Sequence, residues 1–327
     1  MSDPKVHTLT VEAAKAGQRV DLFVGEALGL SRAKLKRLFE EGAVKVDGRA
    51  AKKGLLVTAG QRISVAYEEE TREAVPDADF PLVVLHEDAA LVAVDKPAGR
   101  PSQPLRPGET GTVANALVAR YPECANASED VREGGLCHRL DIETSGVLLA
   151  ARTREAWNAM RTAFGGREVD KRYLALVTGP LADEGEIDMP LRHHPRHPDR
   201  VEPALVDTEG QARPAQSEFK VLGRAGEYSL VEVRIHTGVL HQVRAHMAGV
   251  GAPLVGDTLY GGREEPGLTR FFLHAKSLGF THPVTGQRQQ VESPLPEDLQ
   301  AVLQKHHLPL PTGEGRGEGS ASTRPSP

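Results

Sequence analysis

Between residues 17 and 66, apolar positions recur first at helical spacing and then at alternate positions. The pattern predicts two short helices, the second of which is capped by Ser31 and ended by Gly42. Alternation around a turn at Asp47 and Gly48 then predicts a hairpin and a last strand. We therefore expect a compact N-terminal unit over 17–66. Its apolar positions are Val20, Leu22, Phe23, Ala27, Leu28, Leu35, Leu38, Phe39, Val44 and Val46.

Residues 82–306 mix short β-rich runs with a few helical stretches. Strands are predicted at 82–85, 91–94, 147–151, 173–178, 219–222, 230–235, 271–273 and 290–292, and helices near 112–120, 153–164, 239–249 and 297–305. Because strands and helices do not alternate regularly, the pattern predicts an α+β domain built on a mixed, mostly antiparallel sheet.

The segments around these two units differ from them in composition. Residues 1–16 are polar and small, which indicates a flexible N-terminus. Residues 67–81 are acidic and contain prolines, which is typical of an interdomain linker. Residues 307–327 are rich in Gly, Ser, Thr, Pro and Glu, so we expect a disordered tail.

Charge and cysteine content exclude several classes of protein. The 327 residues carry a formal net charge of −5, so affinity for a polyanion has to rest on local charge. Two cysteines exclude a disulfide framework and a cysteine-built zinc cluster, and they fit a reduced cytoplasm. No apolar run approaches the roughly 20 residues of a membrane span, and no signal pattern opens the chain. The sequence therefore predicts a soluble, cytoplasmic protein with no membrane partner.

One segment of this acidic protein is strongly basic. Residues 31–53 hold eight basic and three acidic side chains, around the second predicted helix and the hairpin after it. A solvated helix face and a phosphate-facing patch both fit this pattern. The candidate RNA contacts in it are Arg32, Lys34, Lys36, Arg37 and Lys45.

The densest polar cluster runs from His138 to Gly146, immediately before an aliphatic strand. A histidine, an arginine, two acids and two hydroxyls therefore lie in a loop at the mouth of a buried strand. Such a cluster can be a structural ion pair with a turn, or it can be a catalytic loop.

The His-Arg-Leu-Asp loop at 138–141, followed by Thr-Ser-Gly at 144–146 and an aliphatic strand, resembles the signature of the RluA-type RNA pseudouridine synthases. The resemblance covers about 17–305. Residues 17–66 also resemble a small αL-type RNA-binding module that this family often carries. The other matching stretches, in family order, are 87–88, 95–99, 171–177, 237–238, 241–246, 256–261, 273–275 and 282–286.

The resemblance implies conversion of uridine to pseudouridine in RNA, without cofactor or metal. It assigns Asp141 as the carboxylate that acts as nucleophile or electrostatic stabiliser, and Arg244 as its basic partner. Tyr173 is expected to stack on the flipped uracil and to serve proton transfer. Arg139 is expected to fill the gap that the flipped base leaves.

Three further residues are expected near the substrate. His138 is expected to hold the loop by hydrogen bonds rather than to act as an acid or base. Thr144 belongs to the same loop, and Leu273 fits either an apolar pocket wall or the core.

A histidine-rich stretch at 191–200 allows three interpretations, which are metal binding, a surface loop and RNA contact. Its prolines and arginines fit an extended basic loop better than a metal site. Arg192 and Arg196 are therefore candidate RNA contacts.

The sequence thus predicts an RNA pseudouridine synthase, with no protein partner implied. The N-terminal module favours large-subunit ribosomal RNA as substrate, and tRNA is the alternative. A non-catalytic ribosome-assembly factor and a glycosidase-type hydrolase that pairs Asp141 with Glu143 are alternatives from other classes. Val239 and Leu240 stand where the family commonly has Arg and Thr, which bears on the choice of substrate more than on the reaction.

Overall fold

The structure, a computed structural model, describes residues 5–30, 32–67, 73–197, 199–204 and 210–311. The chain divides into two compact units, Met1–Thr71 and Arg72–Pro327. Within the described ranges, no helix is long and apolar enough to cross a membrane.

The first unit combines two helices and a small antiparallel sheet around one apolar core. Its elements are β1 (Lys5–Thr10), α1 (Val20–Leu28), α2 (Arg32–Glu40), β2 (Val44–Val46), β3 (Arg49–Ala50) and β4 (Arg62–Tyr67). The sheet order is β1-β4-β2-β3. Val24, Leu38 and Ile63 are almost fully buried, because the apolar stripe of each helix and the inward face of each strand meet in this core.

The turns predicted in this unit are confirmed. Gly42 follows α2 with φ 68°, and the amide of Ala43 donates to the carbonyl of Leu38 at 2.9 Å, which ends the helix. Asp47 and Gly48 have φ 48° and 81°, as the hairpin between β2 and β3 requires. The capping role predicted for Ser31 lies outside the described residues.

The expectation of a flexible segment at 1–16 is wrong for its described part. Lys5–Thr10 is a strand that pairs antiparallel with β4 from Lys5–Tyr67 to Thr10–Arg62. A short 3-10 turn follows at Ala13–Lys15. The strand contributes only Leu9 to the apolar core and is paired along its length with a strand more than 50 residues away, which local composition does not reveal.

The expected linker at 67–81 is wrong at both ends. Tyr67 belongs to β4, and residues 73–81 belong to the second unit. There Ala74 and Phe80 are buried, and the amide of Ala74 donates to the carbonyl of Val131 at 3.2 Å. The acidic composition concealed these two apolar anchors.

The expected disordered tail at 307–327 begins too early. Leu308 is 5% exposed and packs in the same core as Leu299 and Leu303. Its amide donates to the carbonyl of Leu303 at 2.9 Å. Residues 312–327 of this prediction lie outside the described residues.

The second unit is the predicted α+β domain with a mostly antiparallel sheet. Its main sheet runs β5-β6-β7-β14-β8-β13-β12-β9, with β15 paired to β14. The strands are β5 (Val83–Glu87), β6 (Leu91–Lys96), β7 (Ser145–Ala151), β8 (Asp170–Thr178), β9 (Glu184–Asp188), β10 (Leu191–His193), β11 (Val201–Pro203), β12 (Gln216–Ala225), β13 (Tyr228–Ile235), β14 (Leu273–Thr281) and β15 (Arg288–Glu292). The helices are α3 (Val113–Arg120), α4 (Arg154–Gly165), α5 (Gln242–Gly249) and α6 (Glu297–Lys305).

Two apolar clusters cover the two faces of β6 and β7. Leu148 packs in a cluster with residues of α3, whereas Leu149 packs in a cluster with Trp157 of α4. Both faces of β7 are thus buried, which explains why its sequence is continuously apolar after Ser145.

The seam between β7 and β14 is parallel, with His274 opposite Ser145 and Ala275 opposite Gly146. Gly146 has φ 118°, and a β-carbon there would lie 2.2 Å from the carbonyl oxygen of Ala275. Only glycine fits this approach. The seam joins two antiparallel parts of the sheet, and the loop at 137–144 enters β7 at this point.

Two predictions about local structure need correction. The extended basic loop at 191–200 is part of a hairpin, because β10 and β11 pair antiparallel from Leu191–Pro203 to His193–Val201. The helix predicted near 239–249 starts at Gln242, after a left-handed residue at His241. The hairpin was not predicted because β10 and β11 have three residues each, too few to show an alternating pattern in the sequence.

Candidate active site

The second unit has an open cleft of about 780 Å³. The loop before β7 forms one wall, and the start of α5 with the residues before it forms another. The cleft brings together all six of the catalytic and substrate residues predicted around Asp141, which are His138, Arg139, Thr144, Tyr173, Arg244 and Leu273.

The loop that carries Asp141 is fixed by its backbone. Ser102 accepts from the amide of Leu140 at 3.0 Å and donates to the carbonyl of the same residue at 2.9 Å. Lys96 and the amide of Gly99 both donate to the carbonyl of Ile142, at 2.8 and 2.9 Å. These bonds place the Asp141 carboxylate at the cleft with about a fifth of its side chain exposed.

Arg244 is the partner of Asp141. From α5 its Nη1 lies 3.3 Å from Asp141 Oδ2. Its Nε and Nη2 donate to the two oxygens of Asp257 at 2.7 and 2.9 Å. The guanidinium also lies 4.2 Å from the ring centroid of Phe271 and 5.1 Å from that of Tyr260. Arg244 is therefore held by a carboxylate and two rings, with one nitrogen left for Asp141.

Sequence reasoning did not assign Asp257 a role. Its side chain is 1% exposed, and its carboxylate balances the buried charge of Arg244. Burial alone lowers the pKa of Arg244, but Asp257 and then Asp141 raise it above its ordinary value. The signal that could have found Asp257 is its position in the matching stretch at 256–261.

Tyr173 and Leu273 form apolar parts of the cleft. Tyr173 is 9% exposed on β8, and burial, with the negative charge of Asp141, raises the pKa of its hydroxyl well above the usual value. The phenol therefore stays protonated. Leu273 is 3% exposed and belongs to the core cluster as well as to the cleft wall, so both interpretations of it hold.

His138 and Arg139 have opposite surroundings. The Nε2 of His138 accepts from the amide of Leu149 at 3.1 Å, and its ring stacks on Phe164 at 4.8 Å. Burial lowers the pKa of His138 to about 3, which fits a loop-holding role. Arg139 is exposed at the rim of the cleft. The Oγ1 of Thr144 is buried, and no described residue hydrogen-bonds to it.

Lys96 is a second charged residue that sequence reasoning left without a role. Its side chain is fully buried, and its amine donates to the carbonyls of Pro97 and Ile142 at 2.8 Å each. Burial lowers its pKa to about 7, against the opposing charges of Glu143 and Asp141. Lys96 thus holds the loop that carries Asp141 by a buried hydrogen bond to the carbonyl of Ile142.

The cleft is also lined by basic residues other than the predicted contacts. Exposed at its rim are Arg161, Arg167 and Arg213, whereas Lys171 is buried in its wall. Burial lowers the pKa of Lys171 to about 8, and its amine donates to the carbonyl of Thr237 at 2.8 Å. A polyanion can approach such a rim more readily than the net charge of −5 indicates.

The predicted RNA contacts are divided between the two units. In the first unit, Arg32, Lys36, Arg37 and Lys45 are exposed and Lys34 is partly buried. In the second, Arg192 pairs with Glu202 at 2.9 Å, whereas Arg196 is exposed in the loop between β10 and β11. Among the described residues, no group of three or more His, Cys, Asp and Glu side chains is arranged to hold a metal ion.

Val239 and Leu240 are partly buried in the cleft wall. They pack against the cluster that contains Leu191 and Val201. The amide of Val239 donates to the side-chain oxygen Oε1 of Gln242 at 3.1 Å, which connects this segment to the start of α5. This part of the wall is therefore apolar.

Comparison with known proteins identifies the family of this chain. The family model for RNA pseudouridylate synthase matches residues 90–249. The chain belongs to the RluA-type RNA pseudouridine synthases, which are isomerases.

Individual relatives match over nearly the whole chain. "Ribosomal large subunit pseudouridine synthase D" of Xanthomonas campestris pv. campestris is 35% identical, over 92% of this chain and 92% of the relative. The protein of the same name from Pseudomonas aeruginosa is 34% identical, over 93% and 96%. An "Uncharacterized RNA pseudouridine synthase" of Chloroflexus aurantiacus is 38% identical, over 91% and 92%.

Among solved structures, "Human RNA Pseudouridylate Synthase Domain Containing 4" is similar with a TM-score of 0.55 and 24% identity, over 70% of this chain and 95% of that one. "Human RNA Pseudouridylate Synthase Domain Containing 1" has a TM-score of 0.53 and 23% identity, over 73% and 99%. These likenesses concern the fold alone.

Proposed function

We propose that Asp141 is the catalytic carboxylate of uridine isomerisation and that the substrate is large-subunit ribosomal RNA. The observation that supports the first part is the arrangement in the cleft, where Asp141 faces an arginine that a second, buried carboxylate holds in place. A buried arginine with one free nitrogen directed at an acid gives that acid a fixed counter-charge.

The reaction fits this arrangement. The bond between uracil N1 and ribose C1′ breaks, a bond between C5 and C1′ forms, C5 loses a proton and N1 gains one, so substrate and product are isomers. The detached uracil has to turn while the ribose carbon is kept from water. A carboxylate that stays on the protein can add to C1′ or to the base, and both routes remain open.

Tyr173 and Arg139 have complementary roles in this proposal. The protonated phenol of Tyr173 offers a ring for stacking and a hydroxyl for proton transfer, next to Asp141. Arg139, exposed at the rim, can stack in the gap left by a flipped base. The hydroxyl of Thr144, to which no described residue hydrogen-bonds, is buried at the cleft wall and would have to turn towards the cleft to bond a nucleotide.

The proposed substrate rests on the relatives and on charge. Several curated relatives are named as large-subunit pseudouridine synthases. The basic face of α2 in the first unit, which resembles an αL-type module, offers phosphate contacts. Location in the cytoplasm stays a prediction.

A tritium-release assay tests the proposal. Unmodified large-subunit ribosomal RNA labelled at C5 of uridine is incubated with wild type, with Asp141→Asn and with Asp183→Asn, an exposed aspartate as matched control. We expect release by wild type and Asp183→Asn, and a loss on the order of a thousandfold or more for Asp141→Asn. Equal release by Asp141→Asn would remove the catalytic assignment.

Two further arms separate the alternatives. Release from tRNA but not from ribosomal RNA contradicts the substrate proposal and keeps the reaction. Free uracil in the supernatant indicates a hydrolase of the glycosidase type instead. RNA binding by wild type without any tritium release on either RNA favours a ribosome-assembly factor.

A further inference from the structure

His241 has a backbone conformation that residues with a β-carbon seldom adopt. It precedes α5 with φ 52° and ψ 24°, in the left-handed region. Its side chain is 13% exposed and lines the cleft. A strained residue whose side chain lies in an active-site cleft is a reason to ask what that side chain does.

The ring of His241 connects two groups of the site. Its Nε2 lies 3.8 Å from Asp141 Oδ1, and its Nδ1 lies 3.1 Å from the hydroxyl of Tyr260. That hydroxyl already accepts from the amide of Val201 at 3.0 Å, which favours donation of its own proton to Nδ1. In this tautomer the proton of the neutral imidazole is on Nε2, the nitrogen that faces Asp141.

The surroundings of His241 favour the neutral ring. Burial lowers the pKa of His241, which Asp141 opposes and Arg244 supports. Asp257 and Asp199 are the other charged groups that act on it. A neutral ring with its tautomer set by Tyr260 offers a single N–H to the carboxylate.

We propose that His241 is a positioning residue for Asp141, with its Nε2–H directed at Oδ1 while Arg244 holds Oδ2. This inference rests on the proposed catalytic role of Asp141. The present 3.8 Å exceeds a hydrogen bond, and a movement of about 1 Å on substrate binding closes it. Each carboxylate oxygen has two lone pairs, so one on each stays available for reaction.

Tyr260 contacts both groups that face the Asp141 carboxylate, the ring of His241 and the guanidinium of Arg244. Its hydroxyl fixes the tautomer of His241, and its ring lies 5.1 Å from the guanidinium of Arg244. The rings of Tyr260 and His241 meet edge to face, with centroids 5.8 Å apart. One side chain therefore braces the partners of both carboxylate oxygens.

The test uses His241→Gly, which removes the ring and relieves the left-handed backbone. Its matched control is His307→Gly, because His307 is a second histidine with positive φ, 54°, exposed after α6. Kinetics of tritium release are measured on transcribed large-subunit ribosomal RNA labelled at C5 of uridine. We expect His241→Gly to lower kcat about 10- to 100-fold with KM within about threefold, and His307→Gly to change neither.

Two more variants separate positioning from folding. His241→Asn tolerates the left-handed backbone and keeps an N–H donor, so it should recover part of the lost kcat. Tyr260→Phe keeps the ring and loses the hydroxyl, and it should lower kcat about 3- to 10-fold. If His241→Gly fails to fold, Tyr260→Phe serves as the test: a lowered kcat supports the positioning role and an unchanged kcat overturns it.

The outcomes are distinct. Unchanged kcat in both His241→Gly and Tyr260→Phe overturns the positioning role while the proposed function stands. A raised KM with unchanged kcat in His241→Gly would assign His241 to RNA binding and would also overturn the positioning role. No tritium release by wild type contradicts the proposed function itself.

Discussion

The basic helix α2 and the cleft of the second unit use the same residue types in opposite ways. In α2, Lys36 and Glu40 lie 3.8 Å apart, with about two thirds of each side chain exposed. In the cleft, Arg244 and Asp257 lie 2.7 Å apart and are 7% and 1% exposed. Exposed charges stay hydrated and are screened by salt. Buried charges are held in a fixed orientation, and separating them from their partner is strongly unfavourable. The first arrangement suits attraction of a polyanion, and the second suits chemistry.

The largest effect is expected from Asp257→Asn. The change leaves the guanidinium of Arg244 buried without its main counter-charge, so unfolding free energy should fall by about 3 kcal/mol or more. Activity should fall at least about 100-fold, because Arg244 is no longer aimed at Asp141. Urea unfolding and tritium release measure both. The exposed pair provides the control, since Glu40→Gln should change stability by less than about 0.5 kcal/mol. Equal losses of unfolding free energy in the two variants would contradict the distinction between the buried and the exposed ion pair.

A smaller, pH-dependent effect is expected from Lys96→Met. Because burial lowers the folded pKa of Lys96 to about 7, the unfolded state binds its proton more tightly. The cost of burying the charge is full below pH 7 and disappears as the pH rises towards 10.5. The variant lacks this cost, so the unfolding free energy of wild type minus that of the variant should increase by about 1.4 kcal/mol per pH unit once the pH is above about 7.

Urea unfolding at pH 7, 8 and 9 measures this difference. Lys220→Met, at an exposed position of β12, should show a difference from wild type that does not change with pH. A constant difference between wild type and Lys96→Met would mean that the amine is not titrating in this range.

The smallest effect is expected from the double variant Arg32→Gln and Lys36→Gln. RNA affinity should fall only a few-fold at moderate salt, and the slope of log K against log salt should shrink by about one to two. Filter binding across a salt series measures it. Glu40→Gln on the same helix should raise affinity slightly, and kcat should be unchanged in both. A salt slope equal to that of wild type would contradict phosphate contact by α2.

The sequence allowed prediction of the parts of the molecule whose residues are neighbours along the chain. The loop at 138–146, the hairpin at Asp47 and Gly48 and the all-apolar β7 are such parts. It did not allow prediction of β1, whose partner strand is more than 50 residues away, or of the anchoring by Phe80 and Leu308. These segments are polar in overall composition, which predicted flexible or linker segments. In the structure one or two apolar side chains in each are enough to pack them against a core.

The residues of the site also differ in whether local sequence could predict their roles. Asp141 and Arg244 were assigned through motifs, but the roles of Asp257 and Lys96 depend on partners that only the fold brings near. His241 shows the limit most clearly, since its conformation and its contact with Tyr260 have no counterpart in local pattern.

The parallel seam between β7 and β14 also bears on synthesis. Ser145 and His274, which meet there, are 129 residues apart, and Asp141 and Arg244 are 103 residues apart. While the ribosome is making the chain, β5, β6 and β7 end in an open edge until β14 emerges. A nascent chain therefore carries its aspartate for more than a hundred residues before the sheet that supports it can close. Catalytic competence is one of the last properties that the growing polypeptide acquires.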